Sequence, residues 1–190
     1  CGGDGTLNEV VNGVQGFPNA TVTHYPCGSG NDFIKPFSDP GAFHDLNRLI
    51  DGEASQFDLI RCQGDHYALN VCSMGFDARI GTSIGKYKRF PLLSGSGAYI
   101  VSTGINLIKG INRHYRVEMD DETYEGSLAM ICIANGRWYG GGFNPLPEAE
   151  PDDGLLDVLM VKAVSRLTVA QVIGKYKAGR HAELRDLMEY

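Results

Sequence analysis

The sequence predicts an α/β domain followed by a β-rich domain that carries helices. Three observations predict it. Gly2-Gly3-Asp4-Gly5 opens directly onto Leu7, Val10, Val11 and Val14, apolar residues at the spacing of one helix face. Thr21 to Tyr25, β-branched and aromatic, reads as a strand feeding a second glycine turn, Cys27-Gly28-Ser29-Gly30-Asn31-Asp32. From about residue 57 the texture changes to short alternating runs punctuated by turn residues. The expected partition is therefore residues 1–57, the remainder of an α/β domain, and residues 58–190, a β-rich second domain.

The elements follow in order. After the second glycine turn, Pro40 to Ile50 reads as a helix with Leu46, Leu49 and Ile50 as its apolar edge and Gly52 ending it. Gln56 to Arg61 and Tyr67 to Met74 read as strands joined at Gly64-Asp65. Asp77 caps the next helix or lines a cleft. Lys86, Lys88 and Arg89 beside Tyr87 and Phe90 form a basic, aromatic loop suited to phosphate or a lipid headgroup. Gly97 to Lys109 is a helix with Ala98, Val101, Ile105 and Ile108 on one face. Arg113 to Met119 and Tyr124 to Ala134 are strands joined at Asp120-Asp121. Asn135 to Pro145 is a third glycine loop. Its three consecutive glycines, 140–142, call for close backbone approach or mobility, and Trp138, Tyr139 and Phe143 around them suit a lipid surface or a core. Leu155 to Lys162 is a strand. Ser165 caps a last helix whose buried side is Leu167, Val169, Val172, Ile173 and Tyr176.

Composition narrows the function classes. The 190 residues are 43% hydrophobic and 21% charged, enough to build a real core. The net charge of −6 argues against a general nucleic-acid binder. Five cysteines, at 1, 27, 62, 72 and 132, are scattered without a C-x-x-C pair. That pattern reads as reduced thiols in a cytoplasmic protein, not a disulfide framework or a zinc site. No signal peptide or apolar run of membrane-spanning length is visible.

The chemistry concentrates in the glycine loops. A glycine backbone lets a phosphate approach its N–H groups, and a helix N-terminus adds a favourable dipole. Asp4 inside the first loop would repel a polyphosphate unless Mg²⁺ lay between them. Loop and acid together suggest nucleotide phosphates with a divalent cation. No G-x-x-x-x-G-K-[ST] is present; 81–86 has the wrong spacing. Near the C-terminal third, Asp152, Asp153 and Asp157 gather hard oxygen ligands around one turn, an arrangement compatible with Mg²⁺.

Gly2-Gly3-Asp4-Gly5-Thr6-Leu7-Asn8-Glu9 together with Pro26-Cys27-Gly28-Ser29-Gly30-Asn31-Asp32-Phe33 resembles the diacylglycerol kinase catalytic domain, in its bacterial soluble lipid-kinase branch. Sphingosine and ceramide kinases are relatives. The first motif alone is shared with NAD kinases and, more loosely, phosphofructokinases. The second is more specific, and the resemblance runs along essentially the whole chain. It implies a truncated α/β nucleotide-binding domain followed by a β-sandwich-like domain with helices. It implies an ATP-dependent kinase that acts with Mg²⁺ on the hydroxyl of diacylglycerol or a similar lipid. Such a protein would be cytoplasmic and peripheral at the membrane surface, with a homodimer as a possible state.

The resemblance also implies roles. Gly2, Gly3, Gly5, Thr6, Gly28, Ser29, Gly30 and Asn31 form the phosphate cradle. Asn8 and Glu9 reach the ribose or base. Asp4, Asp32 and Asp58 form a carboxylate network with water and Mg²⁺, and Asp152, Asp153 and Asp157 hold a structural Mg²⁺. The family's general base is an acid in an Asp-Gly-Glu segment beyond the last helix, and none follows that helix here. In sphingosine-kinase relatives the glycine-loop acid, here Asp4, takes that role. Cys1 abuts the first loop, so the chain reads as a fragment. Its α/β start and C-terminal end are missing, and alone it is expected not to phosphorylate lipid. The competing readings are a non-catalytic nucleotide or lipid-surface module and, less well matched, a NAD kinase.

Overall fold

The computed structural model describes residues 1–87, 95–108 and 110–189. Of the expected basic, aromatic loop, Lys88, Arg89 and Phe90 lie outside the described residues, as do the side chains of Lys86 and Tyr87.

Compactness divides the chain differently from a cut at residue 57. One unit combines Cys1–Cys72, Ile133–Asp157 and Lys177–Gly179; the other combines Ser73–Cys132, Val158–Tyr176 and Arg180–Tyr190. The chain leaves the first unit and returns to it, which local texture cannot reveal.

The first unit begins with helix α1, Asp4–Gly13. Its N-cap is Gly3, with extended backbone and no side-chain cap, and Asp4 stands in the first turn, where the helix dipole favours an acid. Of the expected apolar face only Leu7 is buried; Val10 is exposed. Polar side chains anchor this helix instead. Asn12 donates to Tyr67 O at 2.7 Å and accepts from Tyr67 N at 2.8 Å. Asn8 accepts from Leu69 N at 3.0 Å and donates to Tyr67 O at 3.3 Å. These amides pair the open backbone edge beyond strands β1, Ile60–Arg61, and β2, Tyr67–Ala68, an antiparallel hairpin. Gly64 turns that hairpin with φ +74°.

Two expected elements of this unit are shorter than the sequence pattern suggests. Thr21 to Tyr25 forms no strand; a single parallel bridge joins Gly2 to Pro26. Pro40 to Ile50 is broken into a 3-10 turn, Pro40–His44, and a short helix α2, Leu46–Ile50. Asp45 causes the break: its carboxylate caps α2 by accepting from Asn47 N and Arg48 N. Leu46 and Ile50 are exposed. Apolar contact comes instead from four phenylalanine rings: Phe37 lies 4.9 Å from Phe43, and Phe33 lies 5.7 Å from Phe57, between centroids.

The second unit is built on a five-stranded sheet in the order β3-β5-β6-β7, with β4 also paired to β5. These are β3, Val71–Gly75, β4, Arg113–Met119, β5, Glu122–Ala134, β6, Asp157–Lys162, and β7, Met188–Glu189. β4 and β5 form the predicted hairpin, with Met119 opposite Glu122 and Arg113 opposite Leu128. Asp120 adopts φ +42° at its turn. The outer half of β5 alternates between exposed and half-buried, then the run Leu128 to Cys132 is wholly buried, as in a strand covered on both faces. Gly75 meets that run so closely that a Cβ would lie 2.6 Å from Ala129 O.

Helices α3, Phe76–Tyr87, and α4, Gly95–Ile108, pack together through polar groups. Ser83 Oγ lies 2.7 Å from Ser102 Oγ, Ser102 Oγ donates to Ile80 O, and Asn106 Nδ2 donates to Ser83 Oγ. Among the described side chains of α4, Ser102 and Asn106 are buried, whereas Ile108, expected inside, is exposed. Each buried hydroxyl and amide finds a partner, so the polar stripe can turn inward. Asp77 lies in the first turn of α3 and accepts from Ala78 N. Helix α5, Arg166–Lys177, is capped by Ser165, which accepts from Thr168 N. Tyr176 is buried; Leu167, expected beside it, is exposed.

Candidate functional site

Three glycine loops of the first unit converge. The first two meet backbone to backbone. Gly2 N donates to Tyr25 O at 3.1 Å, and Cys27 N donates to Gly2 O at 2.7 Å. A Cβ on Gly28 would fall 2.5 Å from Gly3 Cα, so neither position tolerates a side chain. The second and third loops meet at Gly30, where a Cβ would lie 2.7 Å from Asp4 Oδ2 and 3.3 Å from Gly141 Cα. Gly5 differs: no atom lies within 4 Å of its Cβ position, and it faces open space in the first turn of α1. Gly3, Gly28 and Gly30 are thus glycines for packing, and Gly5 is the one that leaves room for a ligand.

Side chains lock the second loop. Asn31, with left-handed φ of 49°, accepts from Gly28 N at 2.8 Å and donates to Gly28 O at 2.9 Å. Its side-chain amide is thus engaged within the loop. The Asn8 amide likewise binds the backbone of residues 67–69. Thr6, Glu9 and Ser29 are exposed.

Asp4 reaches the backbone at Asp32. Asp4 Oδ1 accepts from Asp32 N at 2.5 Å and Phe33 N at 3.3 Å, while Oδ2 makes neither bond. Asp32 is only 2% exposed. It forms an ion pair with Lys35 and accepts from Gly141 N at 2.6 Å. That satisfies a buried carboxylate, which would otherwise be costly. His24, also buried, is held below the usual histidine range by burial, partly offset by the charge of Asp4.

Asp58 is engaged elsewhere. Its Oδ2 accepts from Gly154 N at 2.7 Å, its N–H donates to Pro151 O, and its carbonyl accepts from Asn135 Nδ2. Asp58 therefore supports the Asp153-Gly154 turn. Among the described residues no group of three or more His, Cys, Asp or Glu side chains is arranged to hold a metal ion. Asp58 Oδ2 and Asp153 Oδ1 each accept a turn N–H, from Gly154 and Leu155 respectively. A narrower acid pair does exist: the Asp157 carboxyl is pushed up by burial and then by the charge of Asp153. An Asp-Gly-Glu tripeptide is present at residues 51–53, in an exposed turn after α2 rather than beyond the last helix.

The third loop is a tight hairpin tip. Tyr139 and Phe143 exchange N–H···O bonds at 2.9 Å, and Gly140, Gly141 and Gly142 between them have φ of 62°, 82° and 115°. Such angles are open to glycine and strained for other residues. Lys35 Nζ stands 5.5 Å from the Trp138 ring centroid, and Lys177 Nζ 5.4 Å from that of Phe143. The two lysines escaped sequence reasoning because nothing local links them to the glycines.

Glycine loops around the start of α1 in one unit and a five-stranded sheet in the other are the architecture that the comparisons with known proteins match. The family model "Diacylglycerol kinase catalytic domain" matches residues 1–62, and "YegS C-terminal NAD kinase beta sandwich-like domain" matches residues 70–189. The chain belongs to the diacylglycerol-kinase-like family of bacterial lipid kinases. A Staphylococcus aureus (strain JH9) protein named "Putative lipid kinase" is 31% identical over all of this chain and 62% of its own length. A Staphylococcus carnosus protein of the same name is 31% identical over 85% of this chain and 52% of its own. A Bacillus anthracis crystal structure, described provisionally as a diacylglycerol kinase, superposes with TM-score 0.65 at 25% identity, covering 93% of this chain and 58% of that one. The chain thus spans about six-tenths or less of these relatives. Among the described residues, no helix is long and apolar enough to cross a membrane.

Proposed function

We propose that the chain carries the nucleotide-phosphate side of a kinase that uses ATP and Mg²⁺ to phosphorylate the hydroxyl of diacylglycerol or a similar lipid at a membrane surface. The observation that carries this reading is the open Gly5 position in the first turn of α1, with Asp4 beside it, just after the point where the first two glycine loops meet. N–H groups at a helix N-terminus and glycine backbone suit phosphate. The residues fit both groups. The open Gly5 position would admit the phosphates, and Asp4, whose Oδ2 accepts neither of the N–H bonds made by Oδ1, would offer that oxygen to a cation between acid and phosphate. Bound there, Mg²⁺ would neutralise phosphate charge. Asp32 positions rather than reacts, since its oxygens serve Lys35 and Gly141. At the distant turn, Asp153 and Asp157 would supply two carboxylates to a structural Mg²⁺ completed by carbonyls or water.

The test is Gly5→Val, assayed for ATP-dependent phosphorylation of diacylglycerol in mixed micelles by the full-length enzyme. The variant should fold, because its side chain meets no protein atom. A valine in a helix costs well under 1 kcal/mol relative to the better helix formers. Activity should fall by more than about tenfold, as phosphate approach is blocked. Unchanged activity in a folded variant would remove the phosphate cradle from this loop.

A further inference from the structure

The triple-glycine hairpin tip at 140–142 meets the second glycine loop at Gly30 and carries features that the reading of Gly5 does not use. All three glycines have positive φ, which leaves the turn bare of side chains. Two ammonium-bearing chains reach the same residue: a Cβ on Gly142 would lie 3.7 Å from Lys35 Nζ and 3.9 Å from Lys177 Cε. Each lysine is held over an aromatic ring that flanks the glycines, Lys35 over Trp138 and Lys177 over Phe143. This contact favours a fixed cation. Lys177 is steered further by its own backbone, whose carbonyl accepts from Asn144 N at 3.2 Å. The acids sit one step away, at Gly30 and Gly141 rather than Gly142. Asp32 offsets one of the two ammonium charges, and the ion pairs of the described residues give Lys177 no carboxylate partner.

We infer that Gly142, Lys35 and Lys177 form a subsite for a phosphoryl group, adjoining the nucleotide cradle through the Gly30–Gly141 contact. The inference rests on the kinase reading and deepens it. Bare backbone lets a tetrahedral anion close on the turn, and the Lys177 ammonium, with the Asp32-paired Lys35 beside it, supplies charged donors to it. Two sources share that chemistry: the γ-phosphate of the nucleotide and the phosphomonoester of a phosphorylated headgroup. Lys177 is then a binding residue for the group in transfer.

The experiment is titration calorimetry on the purified chain with Mg-ADP, with the non-hydrolysable triphosphate Mg-AMP-PNP, and with glycerol 3-phosphate. Lys177→Gln is compared with wild type and with Lys177→Arg, each checked by its melting temperature. Removing one charge-assisted contact should weaken binding by roughly tenfold or more. The expected result is that loss for AMP-PNP, for glycerol 3-phosphate, or for both, with ADP affinity within about twofold and the arginine variant intermediate. A loss confined to AMP-PNP assigns the subsite to the γ-phosphate; a loss confined to glycerol 3-phosphate assigns it to the headgroup. Equal affinities of wild type and Lys177→Gln for both ligands would overturn the subsite, and so would an equal loss for ADP. If wild type binds neither nucleotide, the kinase cradle fails, and the subsite is judged on glycerol 3-phosphate alone. Absence of that binding as well overturns both.

Discussion

Asp157 shows how one side chain sets a local requirement. Burial is the larger influence on its carboxyl and the charge of Asp153 the smaller, and both raise it. Between the ordinary aspartate value and the raised one, the folded chain holds a proton that the unfolded chain has released. Stability therefore falls as pH rises through that window, and at neutral pH the ionised Asp157 is a net cost to the fold. A divalent cation shared with Asp153 would reverse the sign, because a ligand of the native state stabilises by linkage. Asp157→Asn is expected to melt at or above the wild-type temperature at pH 7 in chelator, and to show no advantage near pH 3. Millimolar Mg²⁺ should raise the melting temperature of wild type and leave that of the variant unmoved. An equal Mg²⁺ response in both would show that this turn binds no metal through Asp157.

At the scale of the element, α1 carries both the ligand-facing turn and its own anchor. Its N-terminal residues face the glycine loops, and Asn8 and Asn12 pin its opposite side to the backbone of residues 67–69. The same segment continues into Asn70, whose carbonyl accepts from Asn135 N and Gly136 N at 2.8 Å each. One short stretch thus connects α1 with the start of the third loop. Asn12→Ala should cost about 1–3 kcal/mol, since it strands the Tyr67 N–H and leaves the Tyr67 carbonyl only the longer bond from Asn8. Gln15→Ala, which removes only an exposed bond to Val11 O, should cost under about 0.5 kcal/mol. Denaturant unfolding of the two variants measures the difference. Comparable losses would mean that water replaces the Asn12 bonds without penalty.

At the scale of the whole molecule, the nucleotide reading makes a regional claim. The glycine loops, α1 and the 67–70 segment lie in the first compact unit, whereas the β4–β5 hairpin lies in the second. Hydrogen exchange with and without Mg-AMP-PNP should show added protection at residues 2–6, 27–31, 67–70 and 139–143, and little change at 113–128. Protection confined to the β4–β5 hairpin would place nucleotide binding elsewhere.

The sequence alone was enough for the order of glycine loops, the α1 start, the β4–β5 hairpin with its Asp120 turn, the Ser165 cap and the family resemblance. These are local: glycine, β-branched runs and capping residues act over a few neighbours, so their signal is complete within a short window. Tertiary structure decided the rest. Asn8 and Asn31 look like ligand residues in a motif, yet their amides are claimed by backbone that becomes a neighbour only on folding. Asp4 and Asp32 meet, while Asp58 goes to the Asp153-Gly154 turn, because hydrogen-bond satisfaction depends on which N–H groups the chain brings near. Ser102 and Asn106 turn inward on α4 because Ser83 and the carbonyl of Ile80 on α3 await them. Lys177 reaches Gly142 from 35 residues along the chain, a contact that no periodicity or spacing encodes and that only the return of residues 177–179 to the first unit creates.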